Sequence, residues 1–378
     1  MAGARKTNLR EATLADGVAA CRLLSSLGLT LPQGDAAMAA HAQRLWRDNP
    51  ALAAAKAKPN IGWLLEDDGR MVGFFGSIPL LYWFDGAPVM AADASHWGVK
   101  PEYRNETPRL ADAYFGQKNV DLLLVTTAIK PTGRIFEKRG ATRVPQSDLE
   151  QILYWVLDGG GFARAAMRKK GAGAGSAWLL GGLAGMALNA RVRLAGRRPF
   201  AALDDVAIAR ADAIDESFDA LWREKLKEYP NRLLACRNAA TLRWYFGLGQ
   251  GAAKTRFACV RRAGKLLGYA ALLREDAPAI GLRRLKIADM LVLGDEAATV
   301  TALLAAAYEY GLAKRCHVLE LIGLPENLRA HVVATKPLDR PMATFPFFYK
   351  ALTPSLVASL GTGAGWYVTA FDGDTALL

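Results

Sequence analysis

Hydrophobic and polar positions along this chain switch between a helical and a strand period, and the order of the switches is repeated. After an extended stretch at Leu9-Arg10, Thr13 and Asp16 stand at the N-cap and third position of a helix with the apolar stripe Val18, Leu23, Leu24 and Leu27. A helix through His41–Trp46 stops near Asn49-Pro50, because proline disfavours helical backbone in the residue before it. Strands are predicted over Ile61–Leu65 and Met71–Phe75 around the turn Asp68-Gly69-Arg70, with a third over Val89–Val99. A helix over 108–117, a strand over 121–127, a helix over 132–139 and a strand over 151–157 close this first unit.

The same order returns after residue 203. A helix over 215–226 precedes a meander of Phe257–Arg261, Leu266–Leu273 and Ile287–Leu293, then a long helix over 296–310 and a strand over 317–323. Gly69 and Gly264, Arg70 and Lys265, and Gly73 and Gly268 are each 195 positions apart. Asp93 matches Asp289, Arg134 matches Arg329, and Trp46 and Trp244 precede the two meanders. A register held this closely predicts two copies of one mixed α/β unit, each a central sheet flanked by helices. The expected boundaries are 1–157, a connector over 158–202, and 203–378.

Composition changes this picture at the connector. The 52% hydrophobic and 22% charged residues are ordinary for a globular protein with real cores. The net charge is +12, and between Asp158 and Phe200 eight basic residues face a single acid, so more than half of the excess lies outside both units. That argues against folded nucleic-acid-binding domains. The connector also holds glycine runs at 159–161 and 171–175 and an apolar piece, Ala177–Ala190, shorter than the ~20 residues a membrane span needs. It reads as a linker with a packed helix, or as a segment (164–198) for peripheral contact with an anionic membrane face. Cys21, Cys236, Cys259 and Cys316 lack metal-ligand spacing, and His41, His96, His317 and His331 are scattered, so buried thiols in a cytoplasmic, reducing compartment are expected and no metal site is. Met1–Arg10 contains no signal-peptide core.

The segment richest in chemistry runs from Asp93 to Arg104. A strand ends at Val99, and Val99-Lys100-Pro101-Glu102-Tyr103-Arg104 leads into a helix start. This resembles the V-x-P-x-x-R signature of the GNAT superfamily of N-acetyltransferases. The opening Leu9–Asp16 and the stretch Ile135-Phe136-Glu137-Lys138-Arg139-Gly140-Ala141 resemble that family's first strand and helix and its late helix and turn. More loosely, the tryptophan segments and the tail Trp366–Asp374 resemble bacterial tandem acetyltransferase-like proteins, some of which accompany cell-envelope genes. The resemblance implies two tandem GNAT-like domains, acetyl-CoA or another acyl-CoA as donor, and a small-molecule amine as acceptor, an amino sugar or envelope precursor first.

In that family the backbone of the strand, here Trp97, Gly98 and Val99, holds the thioester carbonyl, and the amides at the helix start hold the pyrophosphate. The residues this assigns to the donor are Arg104, Asn105, Thr107 and Arg109. The loop contains no glycine, Pro108 lacks a donor and Glu106 carries the wrong charge, so Arg104 and Arg109 are expected to pair with phosphate directly. The candidate bases are Asp93, His96 and Glu102. Tyr103, Tyr114 or water stands in as acid, because Phe136 occupies the family's tyrosine position. Strict alternation places Asp93, Ser95 and Trp97 on one face and His96 on the other. In the second unit Asp295 and Glu296 occupy the turn, so no acyl-CoA is expected there, and that unit shapes the acceptor cleft or supports the fold. Asp372-Gly373-Asp374 is a carboxylate pair or an ordinary turn, and Phe345–Tyr349 reads as a buried strand of the second unit. Two other functions stay open: a non-catalytic tandem binding module, and tRNA-dependent aminoacyl transfer. The pattern leaves the oligomeric state undetermined.

Overall fold

The computed structural model describes residues 7–55, 58–126, 130–171, 181, 184–192, 206–247, 253–342, 347–374 and 376–377. The first half comprises β1 (Asn8–Glu11), α1 (Gly17–Ser26), α2 (Asp35–Trp46), β2 (Gly62–Asp67), β3 (Arg70–Phe84), β4 (Ala87–Val99), α3 (Thr107–Gly116), β5 (Leu122–Val125), α4 (Lys130–Glu137), β6 (Thr142–Arg143) and β7 (Gln151–Val156). α5 (Gly159–Lys169) opens the connector. The second half comprises β8 (Val206–Arg210), α6 (Glu216–Glu228), β9 (Leu233–Ala235), α7 (Ala239–Phe246), β10 (Thr255–Arg262), β11 (Lys265–Arg274), β12 (Arg284–Val292), α8 (Ala297–Ala313), β13 (Val318–Ile322), α9 (Glu326–Val333), β14 (Leu338–Pro341), β15 (Phe348–Ala351), α10 (Pro354–Ser359) and β16 (Trp366–Tyr367). The capping box is present at Thr13 and Asp16, where one 3-10 turn precedes α1.

The strands form two mixed sheets. The first runs β1-β2-β3-β4-β5-β15-β6, with β9 on β3 and β16 on β9, and the second runs β14-β7-β13-β12-β11-β10-β8. Besides β9 and β16, second-half strands that join the first sheet, two strands lie in the sheet opposite to the one their sequence position suggests. β7, expected to close the first unit, pairs antiparallel with β13 through Val156 and Val318. β15, from the aromatic run expected in the second unit, pairs with β5 through Phe348 and Val125; Phe345 and Pro346 of that run lie outside the described residues. The apolar run of β7 buries Ile152, Leu153, Trp155 and Val156. Such a run marks a central strand but carries no label for which of two equivalent sheets will take it.

Further ties cross between the halves. β9 pairs with Tyr82 and Trp83 of β3. Trp244 donates its indole N–H to Arg44 O at 2.8 Å, while Arg44 reaches the carbonyls of Trp244 at 3.4 Å, Tyr245 at 3.1 Å and Leu377 at 3.2 Å. A guanidinium at the last turn of α7 suits the negative end of that helix. The larger core accordingly mixes Leu24, Trp46 and Phe74 with Trp222, Phe257 and Leu303, and a smaller one under α3 holds Trp63, Phe75, Tyr114, Phe136 and Phe348.

The glycine run at 159–161 is a packed helix start. A Cβ on Gly185, in the helical stretch 184–192, would lie 2.4 Å from Gly160 Cα, and one on Gly161 would lie 2.4 Å from the His317 ring. Of the apolar piece 177–190, residues 177–180 and 182–183 lie outside the described residues, as do Arg193, Arg197 and Arg198. No helix among the described residues is long and apolar enough to cross a membrane. All four cysteines are free and buried.

Candidate functional site

β4 keeps its antiparallel ladder with β3 to its end but pairs with β5 only over Ala91–Asp93. At the point of separation the Tyr114 hydroxyl lies 2.7 Å from Ala92 O and 2.8 Å from Leu124 O, pinning the apex of the wedge. From Ser95 to Val99 the outer edge of β4 has no strand partner among the described residues. His96 is the extra residue of a bulge, because Ser95 faces Gly76 and Trp97 faces Phe75, and its φ is 54°. The bulge overturns the expected alternation. Trp97 stacks on Phe75 at 4.7 Å, on the α3 face with Ala92 and Ala94. Asp93 and Ser95 point to the opposite face, and His96 joins them there.

The helix start after β4 is tighter than a glycine loop. Pro101–Glu106 form a 3-10 turn running straight into α3. Tyr103 is buried and donates its hydroxyl to the Asp67 carboxylate, which removes it from the wedge. Asn105 donates to Glu106 at 2.9 Å. Glu106 accepts from Thr7 at 3.0 Å and from Arg109 at 2.6 Å, and Arg109 also donates to the Thr7 hydroxyl at 2.8 Å. The Arg109 contact, then Thr7, holds the Glu106 carboxyl below its ordinary range. From the end of α4, Arg139 donates to Pro108 O at 3.1 Å and pairs with Asp112 at 2.6 Å. Glu102 and Arg104 are exposed. Arg104 makes no ion pair or side-chain hydrogen bond among the described residues, so of the two arginines expected to meet phosphate it alone is uncommitted.

The equivalent edge in the second sheet is filled. β12 pairs with β13 as far as Ile287 and Leu321 and then separates. There Tyr367 donates to Met290 O at 2.9 Å, and the fully buried Lys225 donates to Val292 O at 2.6 Å. Lys225 also binds Asp295 at 2.6 Å and Glu228 at 2.7 Å, while Glu228 accepts the Gly294 N–H at 2.6 Å. A carboxylate of the chain therefore takes an amide of the turn, a lysine neutralises it, and Asp295 is an internal ion partner. Beside them Arg237 is fully buried. Its Nε lies 3.1 Å from both Asp289 oxygens and its Nη2 lies 3.2 Å from Asp372 and from Thr369 Oγ1, while Tyr269 donates to Asp289 at 2.6 Å. Sequence reading singled out Asp289 and Asp372 but missed Arg237, Lys225, Glu228 and Tyr367. A lysine or arginine in a helix or loop carries no local mark of burial when its partners come from distant strands.

Asp93, the counterpart of Asp289, has no such cation among the described residues. It is fully buried near Thr126 and Asp374, and neither of its oxygens has a hydrogen bond of normal geometry. Burial, then Asp374, pushes its carboxyl well above the ordinary range. Asp372 and Asp374 are both buried. Thr126 donates to Asp374 at 2.8 Å, so this turn is part of the core.

His96 accepts or donates to Ser95 Oγ at 2.6 Å, and its ring meets that of His41 edge-on at 5.4 Å. Burial pushes both imidazoles down to about 4, helped by Arg44 for His41 and by His41 for His96. Both are neutral when folded and take up protons near 6.5 when unfolded, so their contribution is complete above pH 6.5 and is lost as pH falls towards 4. The expected loss is on the order of 3 kcal/mol per histidine as an upper bound. Urea unfolding at pH 7, 5.5 and 4.5 should show a shallower pH slope for the double variant His41→Gln/His96→Gln, and identical slopes would refute the assignment.

No family model matches the sequence, and no curated protein matches it. Solved structures do. The chain is similar to a GCN5-related N-acetyltransferase from Anabaena variabilis ATCC 29413, with a TM-score of 0.58 and 10% identity over 92% of this chain and 73% of that one. It is similar to a conserved protein of unknown function, a probable N-acyltransferase, from Enterococcus faecalis V583, with a TM-score of 0.58 and 11% identity over 94% and 75%. A GCN5-related N-acetyltransferase from Kribbella flavida gives a TM-score of 0.54 and 12% identity over 94% and 73%. Likeness at this identity establishes the fold alone, a mixed α/β fold of two sheets flanked by helices that the chain shares with these proteins.

Proposed function

Starting from that shared fold, we propose that the chain is an N-acyltransferase whose first unit takes the acyl donor and whose second unit serves as scaffold. One observation carries this reading: of two equivalent splayed strand edges, that of β12 is filled by Tyr367 and Lys225, whereas that of β4 has no strand partner from Ser95 to Val99 among the described residues. Unpaired main-chain groups along a strand edge are the means by which an amide-bearing arm is bound. The donor, acetyl-CoA or a longer acyl-CoA, supplies an activated thioester. Main-chain donors at Trp97–Val99 would face the acyl carbonyl, and Arg104 would meet phosphate. His96, on the opposite side of the bulge and neutral above pH 4, is the proton acceptor best placed for an amine. Asp93, its carboxyl pushed well above the ordinary range by burial, supports the apex. An amine acceptor would enter between α2 and the bulge; the amino-sugar or envelope-precursor class rests on family resemblance.

Calorimetry with acetyl-CoA tests this reading. The wild-type chain is expected to bind, and Arg104→Glu is expected to weaken binding at least tenfold without changing the melting temperature, since Arg104 is exposed. Absence of binding at millimolar acetyl-CoA would sink the reading and leave a non-catalytic tandem module.

A further inference from the structure

The amide and charge inventory around the start of α3 divides the donor in two. A diphosphate at a helix start needs several free backbone N–H groups and at least two cations. Here Pro101 and Pro108 have no N–H, and the amides of Tyr103 and Thr107 are used internally, donating to Lys100 O at 2.9 Å and to Arg104 O. Arg109 is held by Glu106 at 2.6 Å and by Thr7, and Arg139 by Asp112 and Pro108 O. The Glu106 carboxylate stands at the N-cap of α3, where a second phosphate would be repelled. The pantetheine arm meets the opposite conditions. Ser95–Val99, five residues of edge with no strand partner among the described residues, run for about 16 Å at ~3.3 Å per residue, long enough to face both amides of the arm. Arg104 stands beyond their end, exposed and without an ion pair among the described residues, with a fork that matches one phosphate.

We infer that the first unit reads a phosphopantetheine thioester, its arm on the β4 edge and its single phosphate on Arg104, and draws little affinity from the adenosine diphosphate half of coenzyme A. The inference rests on the acyltransferase reading and narrows its donor. Phosphopantetheine reaches enzymes both as part of free coenzyme A and on carrier proteins, so the chemistry is shared and the source is a matter for measurement.

Equilibrium binding of coenzyme A, 4′-phosphopantetheine and pantetheine to the full chain separates the possibilities without requiring turnover. The dissociation constants of coenzyme A and phosphopantetheine are expected to agree within threefold, and pantetheine to bind at least tenfold more weakly. Arg104→Glu should weaken the two phosphorylated ligands equally and leave pantetheine unchanged. Displacement of bound phosphopantetheine by an acetylated holo-carrier protein would name the carrier as a source, and displacement by coenzyme A alone would name the free coenzyme; the inference stands in both cases. Coenzyme A binding tenfold or more tightly than phosphopantetheine would overturn it while sparing the acyltransferase reading. Failure of all three ligands to bind would overturn both.

Discussion

Replacing Arg237 with alanine is expected to cost about 3–5 kcal/mol of stability, because a buried cation would be removed from between two carboxylates that stay behind. Arg237, Asp289 and Asp372 are all buried, and the guanidinium also lies over the Phe371 ring at 4.7 Å. Burial pushes the Asp372 carboxyl upward even with Arg237 beside it, so without the arginine that residue would protonate or draw water into the core. A domain of ordinary stability, ~5–15 kcal/mol, would be brought close to unfolding. Urea titration measures the effect, and a loss below 1 kcal/mol would show that the network is dispensable. Arg237→Met combined with Asp289→Asn should recover part of the loss, since the paired change leaves less uncompensated charge.

The second large effect concerns the exchanged strands. A chain ending at Gly171 lacks β15, which leaves β5 and β6 with open facing edges and removes Phe348 from beside Phe136, where the ring centroids are 6.3 Å apart. A chain beginning at Val206 lacks β7, so β13 and β14 lose the strand between them along with Leu153 and Trp155. Each buried large apolar side chain contributes ~1.5–3 kcal/mol, and an open central edge invites aggregation. Each fragment alone should be insoluble or molten, and co-expression of the two should restore a one-to-one complex on gel filtration. Two monomeric fragments, each with a cooperative melt, would contradict the reading.

How much of this was legible beforehand depended on range. The Thr13–Asp16 box, the strand to Val99 and the helix from Thr107 are set by residues within one turn or one strand of each other, and the sequence reads them correctly. The single added residue at His96 was hidden, because a bulge changes neither composition nor apolar content, yet it carries Trp97 to the face opposite Asp93. The strand exchange was hidden for another reason. Duplication makes the two sheets near-equivalent hosts, and local pattern cannot rank them. The contrast between the first edge, unpaired among the described residues, and the filled second edge was only half visible: Asp295 and Glu296 warned of a closed second site, while Lys225 and Tyr367 arrive from 67 and 77 positions away.

The exchange also governs how the protein is made. Val125 emerges from the ribosome long before its neighbour Phe348 exists, and at ~5–20 residues per second the wait is on the order of ten to forty seconds. For that interval the nascent first sheet has a bare interior strand and can neither close nor be handed to a degradation check as finished. Cells producing this chain should therefore depend on co-translational chaperone cover more than its modest size implies, and slowing translation through the second half should lower the soluble yield.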